Sequence, residues 1–99
     1  MKRFVVFAVF AVLTALTFLH AQRQPLRLEK VTDEFYVIFG NGGNTGVYVA
    51  EQGVVLVDTK LAGWGQSILD ALKSVTDAPV TTVINTHTHG DHTGSNNDF

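Results

Sequence analysis

Asn85-Thr86-His87-Thr88-His89-Gly90-Asp91-His92-Thr93-Gly94 places three of the chain's four histidines and one carboxylate within six positions. Neutral imidazole and carboxylate are the nitrogen and oxygen donors that suit zinc or iron. The chain has no cysteine, which excludes a cysteine-based structural zinc site. His87 and His89 stand two apart, so on an extended segment both side chains leave on one side. Asp91 continues that alternation and His92 breaks it. This is not the i, i+4 histidine pair of a helix-borne His-Glu-x-x-His protease, and the spacing predicts a metal site where a strand runs into a loop.

Working outward, Val80-Thr81-Thr82-Val83-Ile84-Asn85 follows Asp77-Ala78-Pro79 and reads as a buried strand with the histidines at its C-terminal end, where binding loops of layered α/β proteins lie. Upstream, Trp64, Ile68, Leu69, Leu72 and Val75 fall at helical spacing, with Trp64 as a packing anchor at the helix start. Residues 54–57, Val-Val-Leu-Val, form an unbroken apolar run suited to burial on both faces. Two hairpins complete the pattern, one pairing 26–31 with 35–39 and one pairing 45–50 with 54–57. Between them Gly40-Asn41-Gly42-Gly43-Asn44 is the strongest breaker cluster, because glycine and asparagine admit positive φ at low cost. Gly90, lacking Cβ, is expected to let the backbone bend closely around metals. Thr93 is expected to cap a short helix starting at Gly94-Ser95-Asn96. Strands and a helix in this order predict an α/β (α+β) fold, without repeats or interdomain linkers.

His87-x-His89-x-Asp91-His92 resembles the signature of the metallo-β-lactamase-fold hydrolases, whose sites hold one or two metals at the edge of an αββα sandwich. The resemblance implies that His87 and His89 ligate a first metal, and that Asp91 and His92 ligate a second. It further implies that the remaining donors come from later in the chain. The flavodiiron branch carries a glutamate where this chain has His89, so the likeness is to the hydrolases. Asp58, at the end of the 54–57 run, matches the family's acidic residue behind the metal loop. A metal-bound imidazole usually gives its other ring N–H to such a carboxylate, which fixes orientation and tautomer. A turn cap accepting local N–H groups is the other role open to Asp58.

With 99 residues, seven of them after His92, the chain is expected to be the N-terminal half of such a sandwich and incomplete. A self-contained small metal-binding protein is the alternative. Residues 1–21 read as a secretory signal peptide, with Met1-Lys2-Arg3 before an apolar run to Leu19; an uncleaved membrane anchor is the alternative, although the run is short for a span. Residues 22–99 are then the partial metallo-β-lactamase-like domain, periplasmic or secreted. Lys2 and Arg3 fall in the leader, so the remainder carries five of the seven basic residues and all nine acids. No basic stripe with interleaved aromatics is present, which argues against nucleic acid. Membrane contact is expected only through an uncleaved leader.

The resemblance implies metal-assisted hydrolysis of a small-molecule ester, thioester, amide or sulfate ester. Zn2+ is the expected cofactor, as one or two ions, with iron or manganese as alternatives. Asp91 takes the catalytic position by aiming the attacking water. A periplasmic metallo-β-lactamase is the narrower alternative, and a non-catalytic exported metal-binding protein is the alternative from another class.

Overall fold

The computed structural model of the protein describes residues 24–99, so the leader lies outside the described residues. Five strands form one sheet in the order β1-β2-β3-β4-β5: β1 Arg27–Lys30, β2 Phe35–Phe39, β3 Thr45–Ala50, β4 Gly53–Val57 and β5 Val80–Ile84. Helix α1, Gly65–Leu72, connects β4 to β5. A four-residue helix α2, Gly90–Thr93, and a 3-10 turn, Asn96–Asp98, follow. The first four strands are an antiparallel meander, and β5 pairs parallel with β4. Parallel neighbours need a crossover, and α1 supplies it.

The local chemistry explains the turns. Thr32 Oγ1 accepts from the N–H groups of Glu34 and Phe35 and closes the β1–β2 turn. In the β2–β3 loop, Gly40, Asn41 and Gly42 take φ values of 109°, 53° and 100°, as the breaker cluster predicted. The helix signal shortens at both ends: Trp64 precedes α1 and Lys73 caps it. Beyond Lys73 the chain continues in turns, with the N–H groups of Val75 and Thr76 both donating to the Leu72 carbonyl.

Alternation divides the sheet into two faces. Ile38, Val47, Val54 and Leu56 point to the side covered by α1 and form the core with Ile68 and Leu72. Phe35, Val37, Tyr48, Val55, Val57 and Ile84 line the other face, matched across strands by register. Nothing among the described residues covers it, and Tyr48 and Ile84 are 42% and 50% exposed. The expectation of a fully buried fifth strand is therefore corrected. Thr81, Thr82 and Ile84 are exposed, because β5 is the outer strand of this sheet and α1 covers only one of its sides. Likewise the valine and leucine side chains of β4 are fully buried only on its helix side, at Val54 and Leu56, while Val55 and Val57 are half-buried. One helix on one sheet is the expected half of the layered sandwich.

Ile68, with no exposure, is the helix's central contribution to the core. Ile68→Ala is expected to cost about 2–5 kcal/mol in chemical denaturation, while Leu61→Ala, at a 46% exposed position, stays within about 0.5 kcal/mol.

Candidate metal centre

Three consecutive residues leave the end of β4 buried: Asp58, Thr59 and Lys60 are 3%, 0% and 0% exposed. Asp58 and Lys60 both occupy the left-handed region, at φ 66° and 65°, an uncommon conformation for side-chain-bearing residues. The backbone laces this segment to the histidine loop. Asp58 N–H donates to the Ile84 carbonyl, Thr59 N–H donates to the His92 carbonyl, and the Lys60 carbonyl accepts from Gly94 N–H, at 2.8, 2.8 and 2.9 Å.

The Asp58 carboxylate gathers the site. Its Oδ1 accepts from Thr86 N–H at 2.8 Å; its Oδ2 lies 2.7 Å from the Thr86 hydroxyl and 2.7 Å from His92 Nδ1. Burial by itself pushes the carboxyl up, but the Thr86 N–H, the His92 ring and the Thr86 hydroxyl together outweigh it and hold the group below the usual carboxylate range. An ionised Asp58 only accepts hydrogen bonds, so His92 Nδ1 carries a proton and the Thr86 hydroxyl spends its one proton on Oδ2. That hydroxyl is also 2.8 Å from His87 Nδ1, and it can meet this contact only as acceptor. His87 Nδ1 is therefore protonated as well. In each neutral ring the lone pair is left on Nε2, the atom offered to a metal.

The donor set fits a cation. One donor atom each from Asp58, His87 and His92 lies within a 4.8 Å cluster. Of these three, Asp58 is the buried one, and both its oxygens already accept hydrogen bonds from Thr86 and His92. His92 Nε2 stands 3.5 Å from Asp91 Oδ2. Two ligands bound to one tetrahedral zinc at about 2.0–2.2 Å would be roughly 3.4 Å apart, close to that separation. The ring of His87 packs between those of His89 and His92, with centroids 4.7 and 4.1 Å away. His89 itself is exposed and outside the three-donor cluster, so residues 24–99 bring its ring to the edge of the group without enclosing it.

Two expectations for this loop are corrected. Asp91 does not continue an extended alternation: the chain is bent at Thr86 and His87 and turns helical at Gly90, with His89 as the N-cap and its carbonyl accepting from the N–H groups of His92 and Thr93. The helix thus begins four residues before the expected start, and the Thr93 hydroxyl donates to His89 instead of capping a later helix. At Gly90 an added Cβ would meet no protein atom within 4 Å. Two glycines at the loop are tight: a Cβ on Gly94 would run into the backbone of Leu61 and Ala62, and Gly43 faces the His92 ring. A Cβ on Gly43 would lie 2.5–2.8 Å from three atoms of the His92 ring.

Residues without a metal-ligand signature complete the frame. Asn96 Nδ2 donates to Asn85 Oδ1 at 2.7 Å, and Asn96 Oδ1 accepts from the Thr59 hydroxyl at 2.7 Å. Ser95, 1% exposed, accepts from Trp64 N–H and donates to the Leu61 carbonyl, tying the loop's far end to the start of α1. Thr86, Asn85 and Asn96 sit beside or just past the histidines, and that adjacency is the one sequence signal that could have flagged them.

Fold and site define a mixed-sheet α/β protein with a metal-competent histidine loop at a strand end. A family model described as the metallo-beta-lactamase superfamily matches residues 38–99, and the chain belongs to that superfamily. Among solved structures it is similar to a beta-lactamase from Chitinophaga pinensis, at 20% identity and TM-score 0.62, covering 71% of this chain and 27% of that one. A Cronobacter sakazakii metallo-beta-lactamase with a HARLDQ motif aligns at 18% identity and TM-score 0.66, covering 79% and 31%. A subclass B3 metallo-beta-lactamase of Bradyrhizobium japonicum aligns at 25% identity and TM-score 0.59, covering 71% and 27%. The chain thus spans about three-tenths of the length of these structures. None of the curated proteins matches it.

Thr86→Val removes the hydroxyl that joins His87 to Asp58, and is expected to weaken zinc binding roughly 10- to 100-fold in a competition titration, with Thr86→Ser near wild type. Because the folded Asp58 titrates below its ordinary value of 3.8, its contribution to stability is full above that pH and is lost as the pH falls through the lower, folded value. Acid denaturation should therefore show a component below pH 3.8 that Asp58→Asn lacks.

Proposed function

We propose that this chain carries the N-terminal half of the active site of an exported, zinc-dependent hydrolase whose water nucleophile attacks an ester, thioester, amide or sulfate ester. The observation that supports it best is the pair of imidazoles, His87 and His92, whose Nδ1 atoms are engaged by Thr86 and Asp58 so that Nε2 is left to a metal, with the Asp91 carboxylate beside the second ring. In this reading His87 and His89 hold a first ion, and Asp91 and His92 a second. The donors that complete both sets belong to sequence beyond this chain, as the greater length of the similar structures allows.

When bound, zinc supplies Lewis-acid chemistry, bringing the pKa of water to about 7 and drawing charge from the substrate's oxygen. The chain's own residues orient the donors. Asp58 and Thr86 hold both rings in one tautomer, so no reorganisation is needed on loading. Asp91 offers Oδ2 toward His92 and keeps Oδ1 to accept a hydrogen bond from the attacking water. Export rests on the 1–21 leader; among the described residues no helix is long and apolar enough to cross a membrane. The narrower reading, a periplasmic β-lactamase, draws on the titles of the similar structures, whose identities of 18–25% speak for fold more than for substrate.

The test is metal analysis of the naturally produced protein, followed by assay against β-lactam, thioester, carboxylic ester, amide and sulfate ester panels. Expected are one or two equivalents of zinc and turnover of one class. Asp91→Asn should lower turnover roughly 10²- to 10⁴-fold, and His89→Ala should reduce zinc content. Stoichiometric iron or manganese would replace zinc in the reading, zinc without turnover of any panel would favour a metal carrier, and unchanged metal and turnover in both variants would remove the site.

A further inference from the structure

Lys60 is the largest side chain in the described fold with no exposure at all. It stands two residues past Asp58 in a left-handed conformation, and its Nζ donates to the carbonyls of Ile38 and Gly43, both at 2.9 Å. Burial pulls the ammonium down to about 8, so near neutral pH it remains mostly charged. A cation taken out of water to face two neutral carbonyls is a costly arrangement, and an apolar side chain of similar volume would fill the space without that cost. What the ammonium adds is direction: two charge-assisted donors joining the end of β2 to the β2–β3 loop.

The peptide it grips is the one against the metal loop. Gly43 N–H donates to the Asp91 carbonyl at 2.9 Å, and the face of Gly43 where a Cβ would stand is filled by the His92 ring. The Lys60 carbonyl meanwhile accepts from Gly94 N–H, on the far side of the same loop. Lys60 thus touches the loop's surroundings from two directions while standing outside the donor set.

We propose that Lys60 is a positioning residue for the Asp91–His92 pair, its ammonium fixing the Gly43 peptide that seats the Asp91 backbone and the His92 ring. This rests on the metal-site reading above, and it separates Lys60 from a plug of the core: a plug would affect the whole fold, whereas this role is selective for one pair of donors. The Asp58–Thr86 and Thr86–His87 contacts are made without Gly43, and His87 meets that peptide only through the His92 ring, 4.1 Å away, so a smaller response at His87 is the internal control.

The test compares wild type with Lys60→Met in the naturally produced protein, by imidazole NMR of the metal-free form and by cobalt(II) titration. Expected in Lys60→Met are at least a tenfold faster exchange of the His92 Nδ1 proton, smaller changes in the His87 ring signals than in those of His92, and roughly 10- to 100-fold weaker cobalt binding at one site with the other within threefold. If Lys60→Met folds with His92 and both cobalt affinities unchanged, or perturbs His87 and His92 alike, the proposal is overturned. Should Lys60→Met fail to fold, Gly43→Ala presses a Cβ onto the His92 ring with Lys60 intact; a selective change at His92 supports the seating role and an unchanged ring overturns it. A wild type that binds no cobalt, with His92 still altered in Lys60→Met, would sink the metal reading and leave the positioning role standing.

Discussion

A single buried carboxylate organises the functional end of this fold. Asp58 receives a backbone N–H, a hydroxyl and an imidazole, and these three donors hold it ionised in spite of its burial. Because an ionised carboxylate has nothing to donate, the direction of every bond around it follows. The consequence reaches His87, which Asp58 does not touch, through a hydroxyl that has one proton and has already given it. One charge therefore sets the tautomer of two rings, one directly and one by relay.

Around that charge the chain is arranged for proximity. Gly43 and the residues 58–60 press against the loop from opposite sides, and each approach requires something unusual of the backbone: a missing Cβ in one case, left-handed conformations in the other. Strain of this kind persists where surrounding contacts over-determine it. Here the contacts are the three backbone hydrogen bonds from 58–60 to Ile84, His92 and Gly94. The asparagine bridge from Asn85 to Asn96 closes the base of the same loop.

Much of this was legible in the residues. β2 and β3 carry the alternation and β-branched content that mark strands, and both fall where the pattern put them. His87, His89, Asp91 and His92 named the family, and Asp58 was recognisable as the carboxylate behind them. Other features were not legible, for physical reasons. A lysine reads as a solvated cation until its surroundings are known, so nothing in Asp58-Thr59-Lys60 announced a fully buried ammonium. Gly43 read as a turn residue because conformational freedom and missing volume look identical in a sequence. The loop's helical turn was missed because four residues are too few to show a period. The exposure of β5 was missed because an apolar run records what a strand is built to meet, and nothing among residues 24–99 lies on its outer face.

The distance between the loop and its orienting carboxylate has a consequence for how ligand binding and folding are linked. His87, His89, Asp91 and His92 are neighbours in sequence, so an unfolded chain already holds them together and can take up an ion weakly. Asp58 is 28 residues from Thr86 and meets the loop only once β4 and β5 are paired. For any ion the loop accepts, the share of binding energy that reaches the fold as stability is only the excess of folded over unfolded affinity. Asp58, distant in sequence, adds to that excess only in the folded chain, so its contact with the loop makes capture of an ion a report of correct folding.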